Sequence, residues 1–178
     1  MSKNNETILK GLHVMSWIIF LGLCIEAGAL IFNWIYAYFN PVVSQNLYKG
    51  LDLSDMYENQ YPHFTGLMSF VVMGAILKAY LFYLVIKIFL KLNWVKPFDR
   101  EIANRIEKIS YEAVAIAVLS FIAQKYTTHL IHKGYEVSDV ANFWSDTPAF
   151  LMMAAILYII AQVFKKGIEL QNENDLTV

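Results

Sequence analysis

Cysteine is nearly absent from this sequence, and charged residues are scarce. Cys24 is the single cysteine among 178 residues, so an internal disulfide framework is excluded. Charged residues make up only 16% of the chain, whereas hydrophobic residues make up 57%. This is too little charge for an ordinary soluble domain. The composition indicates a membrane protein, with the lipid bilayer as its first partner.

Recognisable catalytic and cofactor motifs are also missing. The sequence contains no G-x-S-x-G, no Walker loop and no dinucleotide-binding glycine pattern, and these are the short motifs that most directly indicate chemistry. Its net charge of -1 provides no basic field for nucleic acid. We therefore predict a protein that is not an enzyme, holds no cofactor and makes no direct contact with nucleic acid.

The apolar residues fall into four long blocks separated by polar segments. The blocks cover residues 12–36, 65–90, 109–131 and 149–164. Each reaches or approaches the roughly 20 residues that cross about 30 Å of hydrocarbon. Because no water is present there to pair with the backbone, each block must be helical. The predicted fold class is an all-α polytopic membrane protein, with four transmembrane helices in one domain, residues 1–178.

The lysines and arginines predict the orientation of these helices. Nine of them stand in the N-terminal segment, the middle loop and the tail, whereas the other two loops hold only Lys49 and Lys133. Positively charged loops stay in the cytoplasm. We expect both termini and the middle loop to be cytoplasmic, in a multi-pass protein of the inner membrane, with an acidic tail at residues 167–178.

The middle loop carries a helical pattern of its own. Asp99 is suited to cap a helix, and Phe98, Ile102, Ile106 and Ile109 recur along one helical face. One interpretation is a separate amphipathic helix that lies along the inner membrane surface between spans two and three. The other is a simple extension of span three into the cytoplasm.

Several ionisable residues lie inside the predicted spans, where each costs a few kcal/mol to insert. At about 1.5 Å per residue, Glu26, Lys78 and Lys125 fall within about 10 Å of one another in depth, near the middle of the hydrocarbon. We predict a polar cluster of these three. Lys87 and Glu112 form a second candidate pair closer to the cytoplasm. Such charges either fix the packing of the helices or line a ligand pocket or ion path.

The histidines offer a weaker candidate site for a metal. His129 and His132 share a helical face at the outer end of span three, and His63 stands at the outer start of span two. Imidazoles bind zinc or copper. Since no fixed ligand spacing accompanies them, we predict no metal site and keep the three only as candidates.

Two segments of the sequence resemble a known family. The K-P-F-D run at residues 96–99 with the pattern that follows it, and the closing VFKKGIELQNENDLTV at residues 163–178, are similar to the YoaS-like family of small four-helix bacterial membrane proteins, a domain of unknown function. The resemblance implies four spans and no assigned enzyme activity. It also implies a partner, because members are often encoded beside a small helix-turn-helix transcription regulator.

The cytoplasmic segments have the chemistry of a contact surface. The tail is acidic with a few apolar residues, which suits a basic partner. The candidate partner-binding residues are Phe98, Asp99, Arg100, Arg105, Glu169, Leu170, Glu173, Asp175 and Leu176. Our first hypothesis is a regulatory protein that tethers or antagonises a helix-turn-helix regulator. The alternative is a small transporter, channel or ligand sensor that uses the Glu/Lys cluster. Association into a homo-oligomer is compatible with both.

Overall fold

The chain is helical throughout the part that the structure describes. The computed structural model describes residues 3–91 and 99–175, with side chains over 7–91 and 99–173. The α-helices are α1 (Lys3–Phe39), α2 (Ser54–Asn59), α3 (Tyr61–Lys91), α4 (Arg100–His132) and α5 (Thr147–Asp175). Short 3₁₀ turns occupy Pro41–Gln45, Tyr48–Gly50 and Ser138–Trp144. The described ranges contain no strand, which confirms the all-α fold class.

Three helical stretches are long and apolar enough to cross a membrane. They are Thr7–Phe39, Tyr61–Lys91 and Ser138–Glu173, and they contain the first, second and fourth of the predicted apolar blocks. α4, with 33 residues, has the length but is less apolar, because charged residues such as Glu112 and Lys125 interrupt its sequence. The structure therefore confirms a protein with membrane-spanning capacity in three helices.

The four long helices pack in chain order. α1 packs on α3, α3 on α4, and α4 on α5. Successive long helices run antiparallel, as shown by the stacking of the His13 ring on Phe89, with 5.5 Å between the centroids. We call the end with the connections 40–60 and 133–146 the loop end, and the opposite end the terminal end. We call this arrangement the helix row; α1 and α5 are its outer helices.

Small residues let α4 approach its neighbours closely. The Oγ of Ser110 donates a hydrogen bond of 2.9 Å to the carbonyl of Ala154, which joins α4 directly to α5. Hydrogen bonds of this kind between a small polar side chain and a neighbouring helix are typical of helix packing in membranes. The small buried residues of α4 are Ala103, Ser110, Ala113, Ala117, Ser120, Ala123 and Thr127.

The loop end contains the largest buried core. The connection 40–60 folds against the ends of α1, α3 and α4, and its apolar residues Leu47, Leu51, Leu53 and Met56 are each only 2% exposed. Burial of a side chain of this size contributes about 1.5–3 kcal/mol. The loop end is therefore held together like a soluble domain, while the terminal end has only two smaller clusters.

Trp144 anchors the connection between α4 and α5 inside this core. Its side chain is 2% exposed, and its indole N–H donates a hydrogen bond of 3.2 Å to the hydroxyl of Thr127 on α4. The ring packs against α3 at Gly74. As a result the 3₁₀ turn Ser138–Trp144 runs back along α4 and into the helix row.

The position of Trp144 determines where α5 begins. The next carboxylate, that of Asp146, lies 3.1 Å from the ammonium of Lys78. Lys78 stands near the middle of α3, about 25 Å from the start of that helix at 1.5 Å per residue. α5 therefore starts halfway along α3 rather than at its loop end.

The middle-loop helix is an extension of α4. Asp99 caps it, as predicted, by accepting a hydrogen bond of 2.6 Å from the backbone N–H of Glu101. From Arg100 the helix continues without interruption to His132. Ile102 and Ile106 are buried in a cluster with Ala161 of α5. The interpretation as a separate interfacial helix is wrong over these residues, because α5 covers the apolar face; Phe98 lies outside the described residues.

We predict that Trp144→Ala destabilises the fold by about 3–5 kcal/mol, the usual cost of emptying a buried aromatic site. Thermal unfolding of the detergent-solubilised protein measures the change. Phe32→Ala is the matched control, because Phe32 is 65% exposed and we expect a much smaller change there. Equal melting temperatures for Trp144→Ala and the wild type would contradict the anchoring role of Trp144.

Candidate functional site

A cleft with charged walls lies between α1, α3 and the start of α5. Its volume is ≈ 330 Å³. We call it the ion-pair cleft. Its lining consists of Ile19, Leu23, Glu26, Lys49, Lys78, Phe82, Asn142, Phe143, Asp146 and Phe150.

Two ion pairs face each other across the ion-pair cleft. The Nζ of Lys49 lies 2.7 Å from Glu26 Oε1, and the Nζ of Lys78 lies 3.1 Å from Asp146 Oδ2. The side chains on the long helices, Glu26 and Lys78, are each 23% exposed. Their partners in the connections are more exposed, with Lys49 at 58% and Asp146 at 59%. Ion pairs this accessible contribute only about 0–1 kcal/mol. They can therefore exchange partners at little cost.

Aromatic rings hold both lysines in place. The Nζ of Lys78 lies 5.5 Å from the centroid of the Phe150 ring, and that of Lys49 lies 5.7 Å from the centroid of Phe143. Both distances fall within the range of cation–π attraction. Each ammonium therefore stays in the cleft through a ring as well as through a carboxylate.

The backbone at Lys49 adopts an unusual conformation. Lys49 has φ of 63° and Gly50 has φ of 75°, which is the left-handed region that costs a non-glycine residue about 1–2 kcal/mol. Backbone hydrogen bonds between Leu47 and Leu51, and between Gly50 and Leu47, close the turn. The hydrogen bond to Glu26 raises the pKa of Lys49 above its usual value of 10.5. The turn thus presents a charged ammonium to the cleft at neutral pH.

Behind the ion-pair cleft the packing closes. A cavity of only ≈ 20 Å³ lies between Glu26, Lys78 and Trp144, which has room for about one water molecule. Trp144 is one of the residues that line it. The space that adjoins the cleft on this side is therefore narrow.

An apolar groove continues the ion-pair cleft toward the terminal end. It has a volume of ≈ 570 Å³ and lies between α3 and α5, over one side of α4. Its lining is Leu81, Phe82, Val85, Ile88, Phe89, Ile109, Asp146, Ala149, Phe150, Met153 and Leu157. Phe82, Asp146 and Phe150 also line the cleft, so the two spaces adjoin.

The structure brings only part of the predicted Glu26, Lys78 and Lys125 cluster together. Glu26 and Lys78 line the same cleft, but each is paired with a residue from a connection instead of with the other. Lys125 is exposed on α4, with its Nζ 5.5 Å from the ring centroid of Phe121, and it does not line the cleft. The prediction that Lys125 belongs to the cluster is wrong, because its side chain on α4 faces away from the cleft.

The second candidate pair is not formed either. The Nζ of Lys87 lies 4.5 Å over the ring of Tyr83, and the ion pairs of the described ranges include none between Lys87 and Glu112. Instead, Glu107 joins α4 to α5 at the terminal end, 2.8 Å from Lys165.

The candidate histidines do not gather into a site. His63 Nδ1 lies 2.7 Å from the hydroxyl of Tyr126, whereas His129 and His132 are exposed at the end of α4. Among the residues that the structure describes, no three His, Cys, Asp or Glu side chains lie close enough to share a metal ion.

Three of the predicted partner-binding residues, Asp99, Arg105 and Glu169, have polar contacts within the chain. Arg105 pairs with Glu101, which also pairs with Lys91 at 3.3 Å. Glu169 pairs with Lys166 at 2.8 Å, while Leu170 is 52% exposed. Of the remaining candidates, Asp99 caps α4, Arg100 and Glu173 are exposed on α4 and α5, Asp175 ends α5 with its side chain outside the described part, and Leu176 lies outside the described residues.

Lys49 and Asp146 are the cleft residues that sequence reasoning missed. Both stand in polar connections, where a charged side chain is normally solvated and gives no indication of a site. The Lys49-Gly50 pair marks a tight turn, and the run from Asp146 to Pro148 marks a helix start. These signals locate the residues along the chain but do not reveal that both connections fold back onto the helices.

Comparison with known families matches residues 45–178 to one model, described as a protein of unknown function (DUF2975). This range includes Lys49, Lys78 and Asp146 of the cleft, together with the whole apolar groove. No curated protein and no solved structure matches the chain. The match confirms a domain of unknown function; the finer resemblance to the YoaS-like family stays a prediction.

We predict that Lys78→Met and Asp146→Asn each change stability by less than about 1 kcal/mol, since the pair is accessible to solvent. A double-mutant cycle measured by thermal unfolding isolates the coupling between them. Lys125→Met is the matched control for removal of a lysine, and we expect no coupling to Asp146→Asn. A loss of several kcal/mol in Lys78→Met would instead indicate a buried structural ion pair.

Proposed function

We propose that this chain, which belongs to the DUF2975 family of proteins of unknown function, is a non-enzymatic membrane protein that binds a zwitterionic group in the ion-pair cleft. The observation that carries this proposal is the balanced charge of the site, with two ammonium groups and two carboxylates around one cavity. A ligand with one cationic and one anionic group finds a complementary partner for each. The cavity volume also falls within the roughly 300–1,000 Å³ of small-ligand sites.

The accessible pairing of the charges supports exchange with a ligand. An anionic group would take the ammonium of Lys78, and a cationic group would take the carboxylate of Asp146. Because the existing ion pairs are solvent-accessible, breaking them costs about 1 kcal/mol or less. Charge-assisted hydrogen bonds to the ligand, at about 1.5–3 kcal/mol each, outweigh that cost.

The distribution of exposed apolar side chains supports four membrane spans. α5 between Asp146 and Lys165 measures about 27 Å at 1.5 Å per residue, close to the roughly 30 Å of a bilayer core. Its apolar side chains face outward, as Ile159, 62% exposed, illustrates. An outward surface this apolar suits contact with lipid. α4 would cross the membrane beside α5, which covers one side of α4.

If α5 spans the bilayer from Asp146 to Lys165, the ion-pair cleft lies at the membrane surface. Asp146 and its partner Lys78 would mark the boundary between hydrocarbon and water at the loop end. The prediction that Lys78 lies at the middle of the hydrocarbon does not fit this arrangement. The lysines and arginines of the terminal end, such as Lys91 and Lys166, favour a cytoplasmic location for that end in the inner membrane.

The narrow space behind the cleft favours binding over transport. A transporter or channel needs a route past Trp144, and the cavity there holds about one water molecule. A ligand sensor needs only an accessible site whose occupation alters how α1 and the start of α5 are placed around the cleft. We therefore place sensing ahead of transport.

We predict that O-phosphoethanolamine, a soluble zwitterionic probe, raises the melting temperature of the detergent-solubilised protein. At a concentration one hundred times Kd the gain is about 2.7 kcal/mol. Inorganic phosphate and ethanolamine, which carry only one of the two charges, should give smaller shifts. The shift should vanish in Lys78→Met and persist in Lys125→Met. Equal shifts in both variants, or none in the wild type, would contradict the proposal.

A second candidate function is the tethering of a small cytoplasmic helix-turn-helix regulator. The observation that favours it is that α5 continues as one helix to Asp175, well beyond its apolar part. Over these last turns Glu169 is acidic and exposed and Leu170 is 52% exposed, a combination that suits a basic partner. Ligand binding in the cleft and regulator binding at the tail would then be the input and output of one protein.

We predict that a cysteine at the tail contacts the regulator from the cytoplasmic side. Asn172→Cys in a Cys24→Ser background should react with a membrane-impermeant maleimide only after permeabilisation, and should crosslink to a co-expressed basic helix-turn-helix protein. Asp139→Cys is the control for the loop end and should react in intact cells. Labelling of Asn172→Cys in intact cells would overturn the orientation, and absence of the crosslink would overturn the tether.

A further inference from the structure

The ion-pair cleft and the apolar groove together have the shape of an amphiphile site. The polar end is the cleft, with its two ion pairs. The apolar end is the groove, in which Asp146, at the junction with the cleft, is the one charged residue of the lining. A molecule with a charged head and a hydrocarbon tail matches this division, because each part meets surface of its own polarity.

The length of the groove matches one acyl chain of one leaflet. From Asp146 to Leu157 α5 rises about 16 Å, and half of a bilayer core is about 15 Å thick. The groove begins at the charged boundary and runs toward the middle of the bilayer. It is open along its side, so a chain from the surrounding lipid can enter it without crossing the protein.

We propose that the ligand of the cleft is a bilayer phospholipid with a phosphoethanolamine headgroup, and that one of its acyl chains occupies the apolar groove. This inference rests on the proposed function of the cleft as a zwitterion site. The phosphate accepts hydrogen bonds from the ammonium groups of Lys78 and Lys49. The ethanolamine ammonium donates to the carboxylates of Glu26 and Asp146.

The balance of charge selects this lipid over an anionic one. A phosphate that occupies both lysines leaves Glu26 and Asp146 without cationic partners, and an anionic lipid has nothing to offer them. The primary ammonium of phosphoethanolamine carries three N–H donors and can hydrogen-bond both carboxylates. A trimethylated ammonium has no such donor, and the nearest rings, Phe143 and Phe150, already face the lysines.

Native mass spectrometry of the full chain in a mild detergent tests the proposal. The delipidated protein is titrated with dioleoyl phosphatidylethanolamine and, separately, with dioleoyl phosphatidylglycerol and dioleoyl phosphatidylcholine. We expect preferential binding of the phosphatidylethanolamine. Lys78→Met should weaken it about tenfold, the effect of losing one charge-assisted hydrogen bond, whereas Lys125→Met should leave it unchanged.

A second variant tests the acyl chain separately from the headgroup. Ala149 lines the groove and is exposed, so Ala149→Phe fills the groove without disturbing the core. It should weaken binding of the phospholipid and leave the response to O-phosphoethanolamine intact. Ala155→Phe is the matched control, since Ala155 is also exposed on α5 but does not line the groove.

The outcomes separate this inference from the proposed function. If O-phosphoethanolamine binds in a Lys78-dependent manner while the phospholipid binds no better, or Ala149→Phe has no effect, the lipid proposal is wrong and the zwitterion site remains. Equal binding of phosphatidylglycerol also overturns the lipid proposal. If neither the soluble nor the lipid probe depends on Lys78, both proposals fail.

Discussion

Burial of the Trp144 side chain is the interaction on which the rest of the site depends. The ring places the connection after α4 back in the helix row, where its N–H donates a hydrogen bond to Thr127 and the ring packs against α3 at Gly74. Asp146 follows two residues later and therefore lies beside Lys78. An aromatic ring buried in an apolar core holds its position far more firmly than an accessible ion pair. The ion pair follows from the packing.

The molecule has two ends with different physical organisation. At the loop end, connections fold over the helices and bury the largest core. At the terminal end, the buried clusters are smaller and apolar side chains such as Ile159 point outward, as suits contact with lipid. The ion-pair cleft lies at the border between the two, where Glu26 and Lys78 are each 23% exposed. A border of this kind is where an amphiphile has both of its parts satisfied.

Helix existence and the cap at Asp99 were predictable from the sequence, because both depend on local patterns. The predicted cluster of Glu26, Lys78 and Lys125 was only partly right. The depth count compared levels along α1, α3 and α4 but contained no information on which way each side chain faces, and Lys125 faces away from the cleft. It also considered only residues within the spans, whereas a connection brings Lys49 to Glu26.

The sequence by itself determined that long helices form and where the charges stand along them, since an apolar run must satisfy its backbone internally. It also determined the charge asymmetry between the two ends. Only the tertiary structure decided which charges meet, because pairing depends on how far the connections fold back and on which way α4 turns Lys125. A hydropathy pattern contains no information on how far a connection folds back or on which way a helix faces. Both follow from the packing of side chains such as Trp144 in the core.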